Sequence, residues 1–265
     1  MSSIKNIVKV MNFHSLIRVD KAKQEAAKYF QFERDITKVL YTVVNNRNLK
    51  LDKKMMLENP NGIVINIYLG NDLGFCGAFN SQVYSAVKGD EDSYKIIIGK
   101  KIYNAITNDD KVLFKCEKEE FNDKIEEIEQ IIKDYILNKK VKEMNIIYNH
   151  YVTISSIIYE RKKVFPVVEL DEEIDEKLLK LDFLTETNVD DLVSSLIVLY
   201  LCYNIKILEC NSYAAENITR ERITRESIKK IEEIETERET LARIEEKEKN
   251  FKRQITNRQG NKKRK

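Results

Sequence analysis

Proline and glycine are scarce in this chain of 265 residues, and their placement divides it into three parts. There are two prolines and seven glycines, and both prolines and six of the glycines lie between 60 and 166. Because these two residue types interrupt helices most strongly, the two ends of the chain are free to form long helices. We predict an N-terminal helical segment at 1–58, an interrupted middle domain at 59–187 and a C-terminal helical segment at 188–265.

Histidine is rarer still, which bears on the chemistry the chain can perform. His14 and His150 are the only two histidines, and no group of cysteines or carboxylates surrounds either of them in sequence. We therefore predict no metal site, no cofactor site and no catalytic histidine. The four cysteines show no close pairing, which is typical of reduced thiols in a cytoplasmic protein.

Long apolar runs and a strong net charge are also missing. No apolar run reaches the ~18 residues that a membrane-spanning helix needs. The most apolar stretch, 192–208, is interrupted by polar residues, so we interpret it as a buried helix segment. The formal net charge of +2 argues against nucleic acid as the main partner.

The C-terminal segment is predicted to be one long helix. Residues 188–259 contain no glycine or proline, and apolar residues recur through them at helical spacing. A helix of roughly 70 residues would be about 100 Å long at ~1.5 Å per residue, which is wider than the core of a domain of this size. We therefore predict that this helix projects from the domain as a shaft.

The apolar stripe of this tail is thin and follows a heptad. One row is Ile234, Leu241, Glu248 and Ile255, and a second row is Glu237, Ile244 and Phe251. A seam this narrow is buried by a single partner helix. The N-terminal segment can supply that helix, so we predict an antiparallel pair of terminal helices. The candidate residues for contact with a partner on these helices are Ile4, Ile7, Met11, Ile234, Leu241, Ile244, Phe251 and Ile255.

The middle of the chain is predicted to be a small α/β domain inserted between the two helices. Strand-like runs occur at 62–69, 94–98, 112–116, 144–148, 151–158 and 163–170, and helical patterns occur at 78–87, 100–107 and 123–137. Strands that alternate with helices indicate a mainly parallel, Rossmann-like sheet.

A glycine-rich turn follows the first predicted strand. Gly70, Gly74 and Gly77 stand between a strand and a helix, where a phosphate-binding loop would lie. Their spacing differs from that of the dinucleotide fingerprint, and no lysine followed by serine or threonine completes a P-loop. A tight turn that permits close packing is therefore the favoured interpretation.

Several segments together resemble the gamma subunit of F-type rotary ATPases, which is the central rotor shaft of those enzymes. Residues 74–81, GFCGAFNS, resemble the G-L-C-G-G-L-N-S turn of that family. In chain order, the further similar segments are 3–6 (SIKN), 96–101 (IIIGKK), 146–150 (IIYNH) and 212–217 (SYAAEN). These ordered matches span nearly the whole chain.

The resemblance implies a fold, a role and partners. It implies that the terminal helices insert into a hexameric ring of catalytic and non-catalytic P-loop ATPase subunits, while the α/β domain contacts a small epsilon-like stalk subunit and a membrane rotor. ATP would be bound and hydrolysed by the ring, so this chain would be a non-catalytic subunit, peripheral at the inner face of the cell membrane. The turn residues Gly74, Cys76, Gly77 and Asn80 then join the candidate partner contacts.

The sequence departs from the family pattern at three places. The family's T-x-K-I-T-x-A-M is replaced by VMNFHSLI at 10–17, its S-D-R by NDL at 71–73, and its apolar C-terminal tip by NRQGNKKRK at 257–265. These departures suggest a divergent gamma-like subunit, as in the F-type-like ATPases of mollicutes, some of which are linked to surface or gliding machinery.

Two other classes of function stay open. A coiled-coil scaffold with a Rossmann-like head would form a stable homodimer through the tail seam. A nucleotide-binding enzyme that uses the turn at 70–77 would be stabilised by its ligand, because a ligand that binds only the folded state raises its stability.

Overall fold

The computed structural model describes residues 2–46, 58–104, 106, 109–153, 156–167 and 188–262, with 2 and 254–262 described by backbone alone. The chain forms two compact units. One consists of Met1–His14 with Glu221–Lys265, and the other of Ser15–Arg220. These units differ from the predicted segments 1–58, 59–187 and 188–265, which are each continuous in sequence. Each terminal helix contributes residues to both units.

The two terminal helices are present at both ends of the chain. Helix α1 runs through Ser2–Asn45 and has 44 residues, and helix α5 runs through Val189–Lys262 and has 74 residues. The prediction of long terminal helices is confirmed. The backbone N–H of Asp190 donates to Asn188 Oδ1 at 3.2 Å, and two acidic residues follow in the first turn, where the helix dipole favours negative charge.

The larger unit contains a five-stranded sheet. Its strands are β1 (Ile63–Leu69), β2 (Tyr94–Ile98), β3 (Val112–Cys116), β4 (Val141–Thr153) and β5 (Ser156–Phe165). Their order is β3-β2-β1-β4-β5; the first four are parallel and β5 runs antiparallel at one edge. The connecting helices are α2 (Ser81–Lys88), α3 (Lys100–Tyr103) and α4 (Phe121–Leu137). The predicted α/β domain with a mainly parallel sheet is confirmed.

The β4–β5 hairpin differs from the prediction of two separate strand-like runs at 151–158 and 163–170. Strand β4 continues to Thr153, and β5 returns beside it from Ser156, so the two runs are parts of one hairpin. The reason is that β4 outlasts its parallel neighbour: β1 ends at Leu69, and the outer half of β4 pairs with β5 alone. The part of the second run beyond Val167 lies outside the described residues.

The main core is formed by the sheet together with helices α1, α4 and α5. Isoleucines dominate the central strands, and the first turns of α5 bring an apolar face against them. Fully buried members of this core are Leu40, Ile65, Ile67, Ile96, Met144, Ile146, Val193, Ile197, Leu201 and Ile205. α5 contains a stretch long and apolar enough to cross a membrane, but 61% of that stretch is buried inside the protein. Its apolar character is therefore explained by core packing.

A row of buried polar side chains crosses the sheet. Asn66 on β1 is level with Lys95 on β2 and with Asn145 on β4. The Asp90 carboxylate accepts hydrogen bonds from Tyr68 Oη at 2.6 Å and from Asn66 Nδ2 at 2.7 Å. Burial opposes ionisation of Asp90, but hydrogen bonds from Ser93, Tyr68 and Asn66 outweigh it and hold the pKa of this carboxyl at about 2.

This network predicts an acid-dependent contribution to stability. Because its folded-state pKa lies below the ordinary 3.8, Asp90 stabilises the fold above pH 4, and that contribution is lost as the pH falls towards 2. Asp90→Asn is expected to lower the unfolding free energy at pH 6 by about 1–2 kcal/mol, after allowance for solvent screening. The difference in unfolding free energy between Asp90→Asn and the unaltered chain, measured by urea unfolding, should become smaller at pH 4 and smaller again at pH 3. The exposed Asp92 offers a matched control, Asp92→Asn; a gap that stays constant with pH would contradict the assignment.

Candidate functional site

The glycine turn between β1 and α2 lies at the carboxyl edge of the sheet. In the sheet β1 has β2 on one side and β4 on the other. The chain goes from β1 to β2 and β3 on the first side and then returns to β4 on the second side, so the strand order reverses next to β1. Open α/β sheets bind ligands at such a switch point. Gly70 and Gly99, which follow β1 and β2, approach so closely that a Cβ on Gly99 would lie 2.7 Å from the carbonyl carbon of Gly70. This edge is therefore the expected position of a ligand site.

Hydrogen bonds hold the turn to the loops around it. The Asp72 carboxylate accepts from the backbone N–H groups of Lys100 at 2.7 Å and Lys118 at 2.8 Å. On the other side, Asn149 Nδ2 donates to the carbonyl oxygen of Phe79 at 2.7 Å. These hydrogen bonds connect the turn to the residues that follow β2 and β3 and to Asn149 within β4.

Helix α5 fills the crevice above the turn. Ala215 is fully buried against Cys76 and Phe79. Arg220 Nε donates to the carbonyl oxygen of Gly74 at 3.2 Å, and Cys76 Sγ lies 3.9 Å from the carbonyl oxygen of Glu216. Side chains of α5 thus pack directly on the turn, which favours the packing interpretation of the turn.

A buried cluster of charged side chains lies beside the turn. Lys118 Nζ is 3.4 Å from Glu209 Oε1 and 3.4 Å from Glu216 Oε2, and the three side chains are 7%, 13% and 2% exposed. Burial alone would lower the pKa of Lys118, but the two carboxylates outweigh it and raise that pKa. Burial raises the pKa of Glu209. Arg220 also binds Glu216, so two cations and two carboxylates balance in one cluster.

Of the turn residues predicted to contact a partner, Gly74 and Gly77 are exposed and Cys76 is buried. Cys76 is 3% exposed because α5 covers it, and the half-buried Asn80 hydrogen-bonds Asn71. The exposed apolar side chains of the turn are instead Leu73 and Phe75, at 44% and 59%. Sequence reasoning did not select these two. The signal available was an apolar residue beside each of the turn glycines, where a solvent-facing turn would carry polar residues.

Phe75 has an unusual backbone as well as an exposed ring. Its φ is 60°, a conformation that is uncommon for residues other than glycine, asparagine and aspartate. Neighbouring contacts fix this geometry, because the carbonyl oxygen of Gly74 accepts from Arg220 and the Cys76 side chain is buried. The turn therefore presents the Phe75 ring outward from a rigid base.

In the smaller unit the two terminal helices pair antiparallel. Lys5 Nζ lies 2.7 Å from Glu235 Oε2 near the start of α1. Further along, Asn12 Nδ2 donates to Glu221 O at 2.9 Å and to Thr224 Oγ1 at 3.0 Å. The predicted pairing is confirmed, and its contacts are largely polar.

A row of exposed apolar side chains runs along α1 in this unit. Ile4 and Ile7, both predicted contact residues, are 62% and 58% exposed, and Met11 is half-buried. Val10 and Phe13 continue the row at 55% and 62% exposure. Steps of three residues make successive members neighbours, and each step falls ~60° short of a full turn, so the row winds around about half of the helix from Ile4 to Phe13. Sequence reasoning missed Val10 and Phe13, although the same spacing was available to select them.

The seam of α5 was expected to be buried by the N-terminal helix, and from Ile234 onward its described apolar side chains are exposed. Ile234, Leu241, Ile244 and Phe251 are 41%, 60%, 48% and 63% exposed. The reason is one of length. Lys5 already lies beside Glu235, and α1 begins at Ser2, so little of α1 is left to cover the seam that follows. The side chain of Ile255 lies outside the described residues.

Comparison with known proteins decides the family. A family model described as ATP synthase matches residues 1–243. The chain belongs to the ATP synthase family. The ATP synthase gamma chain of Clostridium novyi is 23% identical over 232 residues, which cover 83% of this chain and 79% of that one. The ATP synthase gamma chain of Mycoplasma mobile is 27% identical over 184 residues, which cover 65% and 63%.

A solved structure supports the same fold. The central stalk of the Tetrahymena thermophila mitochondrial ATP synthase matches with a TM-score of 0.58 at 14% identity, covering 83% of this chain and 99% of that one. The resemblance to gamma subunits is therefore confirmed, and with it the prediction of a non-catalytic rotor subunit of an F-type ATPase.

Proposed function

We propose that this chain is the rotor on which a ring of P-loop ATPase subunits acts, and that the exposed apolar faces of its paired helices bear against that ring. The observation that carries the proposal is the exposed apolar row of α1, Ile4, Ile7, Val10 and Phe13, of which the last three form the α1 face; each is more than half exposed. A contiguous exposed apolar surface marks an interaction site. Leu241, Ile244 and Phe251 supply a second such row on α5.

The α/β domain offers a different contact. The rigidly held Phe75, together with Leu73, is an exposed apolar anchor of the type that dominates protein interfaces. We assign it to the ring, and we assign the rest of the domain to an epsilon-like stalk subunit and a membrane rotor, at the inner face of the cell membrane. The solved relative is described as a central stalk with a c-ring. A role in mollicute surface or gliding machinery stays a prediction.

The experiment is a pull-down of the tagged chain from its native cells with quantitative mass spectrometry. The unaltered chain should recover P-loop ATPase chains at about three copies of each kind, as a closed ring of two alternating chains would give. The variant Ile7→Asp/Val10→Asp/Phe13→Asp should lose most of them, because acids on the bearing face would have to be desolvated. Its circular dichroism should stay that of the unaltered chain.

The matched control places three acids elsewhere on the same helix, at exposed polar positions, as Gln24→Asp/Lys28→Asp/Gln31→Asp. It should recover the ATPase chains in full. Equal recovery by both triple variants would contradict the assignment of the α1 face. A homodimer without ATPase chains would instead support the scaffold function, for which the exposed row on α5 is the specific observation.

A further inference from the structure

The buried charged cluster reaches α5 from two directions. Lys118 belongs to the loop between β3 and α4, and its Nζ lies between Glu209 and Glu216 and 4.9 Å from the ring centroid of Tyr213. These α5 residues are four and three positions apart, so they share one face over two helical turns. Lys118 therefore contacts α5 along two successive turns of the helix.

A second cation makes the reverse connection. Arg220 extends from α5 to the carbonyl oxygen of Gly74 and also binds Glu216. Asp72 joins the two loops, because it lies in the glycine turn and accepts from the backbone N–H of Lys118. Cations thus cross the junction between α5 and the α/β domain in both directions, and the loops that hold them are tied together.

The apolar contacts of α5 at the level of the cluster are few. The buried apolar residues there are Cys210, Ala214, Ala215 and Ile218, and the larger apolar set from Val193 to Leu208 packs in the main core nearer the start of the helix. Apolar burial is not directional, whereas hydrogen-bonded ion pairs depend on distance and angle, and burial protects them from screening by salt. The charged cluster therefore adds a directional restraint at this level of α5.

We propose that Lys118 locks α5 to the α/β domain against twisting about the helix axis, so that torque passes between helix and domain through this side chain. The proposal rests on the rotor function given above, and it assigns that function a positioning residue in the interior of the chain. Glu209 and Glu216 are seven positions apart and lie at nearly the same angle around α5, so a rotation of the helix carries both carboxylates past Lys118 together and strains both 3.4 Å contacts at once.

The test is a single-molecule rotation assay on the complete ATPase complex with its ring immobilised. All four cysteines are buried, so an introduced Lys133→Cys on the exposed side of α4 can carry the bead. Removing the lock should raise the angular variance of the bead in the ATP-waiting dwell above that of the unaltered chain, because one restraint at the junction is lost. The ATPase rate per complex should stay unchanged.

Two variants remove the lock. Lys118→Met removes the cation alone. Lys118→Met/Glu209→Met removes a balanced pair and leaves Glu216 bound to Arg220, and replacing a buried ion pair by apolar side chains is often neutral for folding. The control is Lys124→Met, which removes an exposed ion pair with Glu120. The control should show the angular variance of the unaltered chain.

The outcomes separate the lock from the rotor function. A double variant that assembles, turns and shows unwidened angular variance would overturn the lock and leave the rotor function standing. An unaltered chain that assembles with no ring and does not rotate would overturn both. Widened variance in the double variant, with ordinary variance in the control, supports the lock, because a merely structural role would change complex yield and not the width of the dwell.

Discussion

Gly99→Ala is expected to lower the unfolding free energy of the chain by roughly 3 kcal/mol or more. The φ of Gly99 is 122°, which side-chain-bearing residues rarely adopt. An added Cβ would lie 2.7 Å from the carbonyl carbon of Gly70 and 3.0 Å from the backbone nitrogen of Asn71. These are backbone atoms at the ends of paired strands, so they cannot move aside without separating β1 from β2.

The matched control is Gly74, in the glycine turn at the same edge of the sheet. Gly74 has nothing within 4 Å of an added Cβ, so Gly74→Ala should change the unfolding free energy by at most about 0.5 kcal/mol. Urea unfolding followed by circular dichroism measures both variants. Similar losses in the two variants would show that the close approach of Gly70 and Gly99 does not constrain the fold. The contrast also tests which glycines of this edge are required by geometry.

Glu216→Ala is the other substitution for which we expect a large effect. The Glu216 side chain is 2% exposed and contacts both Lys118 and Arg220. Its removal leaves two buried cations with the Glu209 carboxylate as their remaining acidic partner in the cluster. Removing one member of a buried ion pair costs roughly 3–5 kcal/mol, because the charge left behind is uncompensated. Guanidinium unfolding should show a loss of that size.

The control for this substitution is Glu120→Ala, which removes an exposed partner of Lys124 from the start of α4. Exposed pairs of this kind contribute little, so its unfolding midpoint should stay close to that of the unaltered chain. If both variants unfold at the same denaturant concentration, the cluster around Glu216 is not a determinant of stability. A loss confined to Glu216→Ala would establish that α5 and the loop carrying Lys118 are held together by charge.

The fold was largely predictable because its signals are local. The absence of glycine and proline from the chain ends predicts α1 and α5, and the apolar runs predict β1, β2 and β3 within a residue. The β4–β5 hairpin was harder. Which of two adjacent β-like runs continues a strand depends on where the neighbouring strand ends, and that is decided by β1, about eighty residues earlier in sequence.

The candidate site was less predictable, for reasons of geometry. The heptad rows on α5 were visible, but whether they are covered depends on where α1 begins opposite Glu235. The charged cluster could not be predicted, because Lys118 and Glu216 are 98 residues apart and each looks like an ordinary surface charge in sequence. The glycine turn was recognised as a motif, but which of its side chains are exposed, Leu73 and Phe75, became evident only from the packing of α5 on the turn.

The meeting of the chain's two ends has a consequence for its synthesis. Asn12 and Glu221 hydrogen-bond across 209 residues of sequence, which a ribosome takes roughly 10–40 s to translate at ~5–20 residues per second. Until α5 is made, Val19 and Ala22 of α1, which are buried in the finished chain, lack the α5 residues Ala214 and Ile218 that pack against them. The first helix to be made therefore completes its packing only when the last helix has been translated, so the nascent chain exposes apolar side chains of α1 to the cell before it can act as a rotor.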